Sequence, residues 1–206
     1  MRMKAMAVVA MAVSMVLASG CHKNTVDKSA FKSALNDYYK GKQECLWASP
    51  QKFPAQADTS NDDQTRGYDA LVDAGLLTRS SAEKKRFLIG SKQVNDYDLS
   101  GNGRSAWTAD QTHPGYGNFC FGHPDVVSVD SYTPADPDSL NYVVNYRYGV
   151  NSLPDWANST EMKTAYPGIV RESSGANPAS ATLTKTSDGW LVSNAQPFPL
   201  SGPAGQ

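Results

Sequence analysis

Asn141-Tyr142-Val143-Val144-Asn145-Tyr146-Arg147-Tyr148-Gly149-Val150 is the stretch that decides what this chain can fold into. In an extended chain Tyr142, Val144, Tyr146, Tyr148 and Val150 share one face, and Val143, Asn145, Arg147 and Gly149 share the other. Side chains alternate with a period of two along a strand. One face of this segment is therefore suited to a core and the other to water, as in a half-solvated antiparallel sheet.

Strands are expected on both sides of it. Val126–Tyr132 reads as a strand. Ala181–Thr186 and Trp190–Ser193 flank Ser187-Asp188-Gly189, a hairpin signal. Between them, Asn158–Tyr166 reads as the one inserted helix, with Asn158 as N-cap, Glu161 reaching back in a capping box, and Pro167-Gly168 as its end. The segment Thr108–Phe121, rich in Gly, Pro and polar residues, reads as an ordered surface loop.

The preceding part is expected to be helical. Lys28–Lys40 carries Phe31, Leu35 and Tyr38 or Tyr39 at helical spacing, and Thr65–Leu76 carries Tyr68, Leu71, Val72 and Leu76 on one face. Ser49–Asp63, with two prolines and an acidic run, is loop chemistry. Arg86–Ile89 and Val94–Leu99 are strand candidates, followed by a turn at Ser100-Gly101-Asn102-Gly103. The expectation is an α+β body over residues 28–193: a helical part at 28–107, then an antiparallel sheet with one inserted helix at 108–193. Residues 194–206 are Pro/Gly-rich and expected to fray.

Two phrases, Leu71-Val-Asp-Ala-Gly-Leu-Leu-Thr78 and Tyr97-Asp-Leu-Ser-Gly-Asn-Gly-Arg104, resemble a winged-helix module. That family closes a helix on a Gly-Leu-Leu phrase and follows it with a two-stranded wing. Here Ser100 stands where the family usually has Thr, and no helix rich in Arg or Lys is present to read a groove.

The first residues carry an address. Met1-Arg2-Met3-Lys4 is a short positive segment, followed by small and apolar residues from Ala5 to Ala18. That is the length of an export-signal core and shorter than the roughly 20 residues that span a bilayer. It ends Leu17-Ala18-Ser19-Gly20-Cys21, which resembles the lipobox of bacterial lipoproteins. The resemblance implies removal of residues 1–20, a diacylglyceryl group on Cys21, and residues 21–27 as a tether. Ala18 stands where the family usually has Leu, and Ala18-Ser19-Gly20 also fits the small-x-small pattern of a soluble export signal. His22 is not the Asp that retains enteric lipoproteins in the inner membrane, so the resemblance implies an outer-membrane location facing the periplasm. Six extended tether residues reach about 20 Å, which would hold the body close to that membrane.

If Cys21 bears lipid, Cys45 and Cys120 remain as an even pair in an oxidising compartment and read as one disulfide. A metal site is the rival, because His123 and His113 lie near Cys120, but it lacks a second closely spaced ligand pair. Without residues 1–20 the chain keeps 17 basic and 20 acidic side chains, a formal charge of −3. That balance gives no footprint for nucleic acid.

Other constellations fit ordinary surface chemistry better than a site. Asp96-Tyr-Asp98-Leu-Ser100-Gly101 imitates the start of a calcium loop, yet Trp107 stands where a bidentate acid is needed. Ser-x-x-Lys occurs at Ser29–Lys32, Ser49–Lys52 and Ser81–Lys84, without the Lys-Thr-Gly phrase that accompanies it in penicillin-binding enzymes. Glu83-Lys84-Lys85-Arg86 reads as a solvated charge run. His123 with Asp125 is the arrangement a small hydrolase would use, and His113 is a second loop histidine.

No catalytic, cofactor or metal set is assigned. The expected function is that of a non-enzymatic, membrane-anchored envelope lipoprotein presenting a surface to a protein or peptidoglycan partner. An immunity or inhibitor lipoprotein acting on a toxin or hydrolase is the alternative, and a small hydrolase the third.

Overall fold

The computed structural model describes residues 26–85 and 91–196. The alternating stretch at Asn141–Asn151 is the middle strand of a large antiparallel sheet. In chain order the elements are α1 (Lys28–Tyr39), β1 (Glu44–Cys45), β2 (Gln51–Lys52), β3 (Ala55–Asp58), α2 (Asp62–Asp73), β4 (Leu77–Lys85) and β5 (Ser91–Leu99). There follow α3 (Gly101–Ala106), β6 (Trp107–Ala109), β7 (Tyr116–Thr133), β8 (Asn141–Asn151), α4 (Thr160–Ala165), α5 (Pro167–Ser173), β9 (Asn177–Thr186) and β10 (Gly189–Gln196). A 3-10 turn at Asp155–Asn158 precedes α4.

The large sheet runs β1-β7-β8-β9-β10, with β2 and β6 also paired to β7; the small sheet runs β3-β5-β4. Every pairing among the described residues is antiparallel. The fold is thus mixed α and β, with strands dominant. Among the described residues no helix is long and apolar enough to cross a membrane.

The period-two reading of β8 holds: Tyr142, Val144, Tyr146, Tyr148 and Val150 are buried, while Val143, Asn145 and Arg147 are exposed. Against that face lies α1. Its N-cap Asp27 accepts from the Ala30 amide at 2.8 Å, and Phe31, Leu35 and Tyr39, four apart, point into the sheet. Strand β7 shifts register at Val126/Ser128 and again at Val129/Ser131. Groups of α1 bond the backbone there: Asn36 Oδ1 accepts from the Val126 amide at 2.8 Å, and Lys32 Nζ donates to the Val127 carbonyl at 3.0 Å.

The 28–107 part is not a helical unit. It supplies β1 to β5 and the first residue of β6; β4 and β5 pair with each other, and β1, β2 and β6 pair with β7. Its first helix, α1, packs on β7 and β10. Helical period is plain in the sequence of this part, whereas β1, β2 and β3 are too short to show alternation.

Several local expectations are also corrected. Ser49–Asp63 is not simply loop, because β2 and β3 lie within it. Thr108–Phe121 is not one loop, because its ends belong to β6 and β7. Gly117 stands between Gln51 of β2 and Ala109 of β6, and a Cβ there would sit 2.4 Å from the Trp107 indole nitrogen. The glycine suits the close approach of strands rather than a turn. Ser100-Gly-Asn-Gly103 is not a wing turn either. Ser100 caps α3, accepting from the Gly103 amide at 2.8 Å and donating to the Gly75 carbonyl at 2.6 Å. The Leu71–Thr78 phrase does close a helix and lead into a hairpin, but the Tyr97–Arg104 phrase leaves β5 for a helix.

Further on, the cap of α4 is Ser159 and not Asn158; its hydroxyl accepts from the Met162 amide at 3.1 Å. That helix ends at Ala165 with Tyr166 as its cap, just before Pro167 as expected, and Pro167 also opens α5, at the first helical position where a missing N–H costs nothing. The hairpin around Ser187–Gly189 forms as read, and β10 runs on to Gln196. The strand expected at Arg86–Ile89 lies outside the described residues, as do Cys21, His22 and most of the expected tail.

Candidate functional site

Two apolar cores share β7 and β8. The first, beneath α1, joins Phe31, Leu35 and Tyr39 to Val126, Tyr142, Val144, Tyr146, Tyr148 and Leu183. The second joins Trp47, Tyr68, Leu71, Tyr97 and Phe119 to Val150, Met162, Tyr166 and Ile169. Polar side chains lie where Tyr148 of the first core approaches α5, which carries Ile169 of the second. Glu172 of α5 is only 4 % exposed and accepts from the Tyr148 hydroxyl at 2.6 Å and from Arg171 Nε at 3.0 Å. The Tyr39 and Tyr146 hydroxyls hydrogen-bond each other. Glu44 of β1 is 3 % exposed.

These groups do not titrate as they would in water. Burial, then the nearby Glu172 charge, pushes the Glu44 carboxyl up to about 7. Burial, then the hydrogen bond to Glu172, drives the Tyr148 hydroxyl well above the usual phenol range. Burial does the same to Tyr39, reinforced by its bond to Tyr146. Perturbed groups of this kind mark functional sites or structural networks alike. Here all of them lie in the interior, where Glu172, Tyr148, Tyr39 and Tyr146 are joined by hydrogen bonds.

The second feature is open. A cleft of about 450 Å³ lies between α2 and α4, lined by Arg66, Asp69, Ala70, Asp73, Thr160, Glu161, Thr164 and Ala165. Gly67 lets α2 sit directly on the Tyr166 ring, since a Cβ there would be 2.9 Å from the Tyr166 hydroxyl. Asp69 is fixed by two donors, Arg79 Nη1 and the Tyr97 hydroxyl, both at 2.8 Å. Arg66 pairs with Asp63 at 3.0 Å. The rim is therefore mainly acidic, with its one arginine turned to a neighbour.

Of the candidates named from sequence, Cys45 and Cys120 are brought together and bonded, across directly paired positions of β1 and β7. His123 and Asp125 bond elsewhere: His123 Nδ1 meets the Lys42 carbonyl at 2.9 Å, and Asp125 Oδ2 accepts from Asn151 at 3.2 Å. A histidine whose Nδ1 holds a carbonyl is not oriented by Asp125. His113 Nδ1 lies 2.8 Å from the Thr112 hydroxyl and 3.4 Å from Asp110 on an exposed turn. Hydrogen bonds from Thr112 and His113 hold that Asp110 carboxyl down at about 2.

Asp96 accepts from Gln56 at 2.7 Å, and Asp98 from the next backbone amide, so they do not converge. Among the described residues no group of three or more His, Cys, Asp or Glu side chains is placed to hold a metal ion. Lys32 is committed to β7, as described above.

Sequence reasoning missed both features. Glu44 gives no signal, because a lone Glu in a Lys-Gln-Glu-Cys phrase reads as surface. The cleft needs α2 and α4, nearly a hundred residues apart, to meet. No protein-family model matches the chain, and no curated protein or solved structure was found to resemble it.

Proposed function

We propose that the chain is an exported envelope protein, lipid-anchored through Cys21, that works by binding a protein or peptidoglycan partner rather than by catalysis. The observation that carries this reading is the Cys45–Cys120 disulfide. It pairs two of the three cysteines and leaves over Cys21, the one in the lipobox-like phrase. A disulfide between strands also suits an oxidising compartment.

The α2–α4 cleft is the surface we assign to the partner. It lies between two helices, and none of the ion pairs among the described residues involves Asp73 or Glu161. Carboxylates so placed favour cationic groups, such as the amines of peptidoglycan stem peptides or the lysines of a protein.

Growth with radiolabelled palmitate tests the anchor: the wild-type chain takes up label and Cys21→Ser does not. A labelled Cys21→Ser chain overturns it. Pull-down from detergent-solubilised envelopes tests the cleft. A partner retained by the wild type should be lost from Asp73→Lys/Glu161→Lys, and its undiminished retention would remove the cleft from the reading.

A further inference from the structure

The two ends of β8 differ, and the folded body begins at one of them. Helix α1 runs along the strand from Tyr142, whose ring lies 5.4 Å from that of Phe31, to Tyr146, whose hydroxyl bonds that of Tyr39. The start of α1 is therefore at the Asn141 end of β8. There Lys28 Nζ donates to the Asp130 carbonyl at 2.7 Å, and Val26 packs against the first core. The connection from β7 to β8 and the turn from β9 to β10 lie at this same end. The Lys185 amide donates to the Leu140 carbonyl at 2.7 Å, and Asn141, Thr184 and Leu191 pair side by side across β8, β9 and β10.

Leu140 and Leu191 are the two most exposed large apolar side chains among the described residues, at 63 % and 61 %. A single exposed leucine is ordinary. Two of them at the end where the chain arrives are the beginnings of a surface that meets an apolar medium. The opposite end of β8 leads to the cleft: Val150 packs with Met162 in the second core, and α4, which carries Met162, borders the cleft with α2. The 11 residues of β8 hold the two ends about 30 Å apart.

We propose that the end carrying Leu140 and Leu191 is a membrane-docking surface, which seats both leucines at the lipid interface and points the α2–α4 cleft away from the bilayer. This rests on the reading of Cys21 as the lipid-bearing residue. From Cys21 to Val26 the chain reaches about 20 Å at most, so the start of α1 stays within that distance of the lipid. The tether alone would let the body lie on either flank; the leucines select the end. Charge does not, because Asp27, Asp136, Asp138 and Asp188 outnumber Lys28 and Lys185 there. The contact is therefore with the apolar part of the interface and not with anionic headgroups. The cleft then stands about 30 Å or more above the membrane. That is the level of wall peptides or a periplasmic domain, and out of reach of a partner confined to the bilayer.

Energy transfer from the full lipidated chain to a headgroup dye in phosphatidylcholine vesicles tests this placement. Cys45 and Cys120 are bonded to each other and Cys21 would carry lipid, so a donor dye attaches only at an introduced thiol. Ser187→Cys puts the donor at the β9–β10 turn and Thr164→Cys puts it beside the cleft; both positions are exposed. Transfer should be severalfold greater from position 187 than from position 164. Leu140→Ser/Leu191→Ser, at two exposed positions, should leave both cores intact and the chain on the vesicles, yet lose most of that difference. Replacing part of the lipid with phosphatidylglycerol should not raise transfer from position 187, and a rise would overturn the assignment to the leucines. Equal transfer from the two positions would overturn it as well, and so would a difference that survives in the leucine variant. Transfer between differently labelled chains, in place of transfer to lipid, would make the leucines a contact between copies and would also overturn it. Flotation separates the two readings. A wild-type chain that does not float with vesicles removes the anchor and this inference with it, whereas a floating chain with equal transfer removes this inference alone.

Discussion

The two cores are built from the same kinds of side chain by opposite routes. Beneath α1, the rings come from long regular elements: Tyr142 and Tyr146 from β8, Phe31 and Tyr39 from α1. Beside α2, α4 and α5 the rings come from short strands, helix ends and connections: Trp47 after β1, Phe53 between β2 and β3, Trp107 at the start of β6, Trp156 from a 3-10 turn. The first core is a sheet face with a helix laid on it. The second is a cluster of tilted and edge-to-face rings, with Trp47 meeting Trp107, Phe119, Phe53 and Tyr166 at centroid distances of 6.0–6.4 Å. Regular elements make a core periodic, and irregular ones make it depend on where the chain happens to return. Both nevertheless rest on β7 and β8, so neither can be lost quietly.

The largest effect should come from emptying the first core. Phe31 is fully buried and its ring meets those of Tyr132, Tyr142 and Trp190 at 4.9–5.4 Å. Phe31→Ala should cost ~3–5 kcal/mol through lost transfer energy and the cavity left behind. Urea unfolding of this variant, followed by tryptophan fluorescence and far-UV circular dichroism together, should show one coincident transition at lower denaturant. Three of the four tryptophans report on the second core, at Trp47, Trp107 and Trp156. If their signal keeps the wild-type midpoint while secondary structure is lost earlier, the cores are independent and the shared-strand argument fails.

A smaller loss is expected at the disulfide, which closes a separation of 75 residues and pins the segment running from the first core to the second. Chain-entropy reasoning sets an upper value of about 4 kcal/mol, and measured bonds commonly give ~2–4. Cys45→Ala/Cys120→Ala should therefore unfold at lower urea than the wild type yet above Phe31→Ala, with Leu46 and Trp47 still able to pack. A midpoint unchanged by the double substitution would show that β1 is held by its side chains alone.

What could be read from sequence divides along the same line. The period of two in Tyr142–Val150 and the four-residue spacing of Phe31, Leu35 and Tyr39 mark the first core in the sequence itself, because each pattern repeats within one element. The pairing of Cys45 with Cys120 was legible by arithmetic. The second core was not: β1, β2 and β6 are two or three residues long, and alternation cannot show itself over so short a run. Nor were the buried carboxylates, since the burial of Glu44 and Glu172 depends on partners that arrive from β7, β8 and α1. The α2–α4 cleft was hidden for the same reason. Ser100 is an intermediate case, in which Ser-Gly-Asn-Gly carried a correct break after β5 and a wrong conformation beyond it.

That serine allows the smallest test of the contrast, because it belongs to an irregular junction of the second core. Its hydroxyl accepts from the Gly103 amide and donates to the Gly75 carbonyl, and its own amide donates to the Leu76 carbonyl at 3.0 Å. The side chain thus serves the first turn of α3 and the exposed end of α2 at once. Ser100→Ala removes both bonds and leaves the backbone contact in place, so the cost should be ~1 kcal/mol, near that of an ordinary helix cap. Neither end is deeply buried at the hydroxyl, and water can replace part of what is lost. The change should lower the urea midpoint slightly without altering the slope, since the surface exposed on unfolding is the same. A cost well above 2 kcal/mol would mean that the junction, and not the ring cluster, organises the second core. Irregular connections would then carry the stability there that regular elements carry beneath α1.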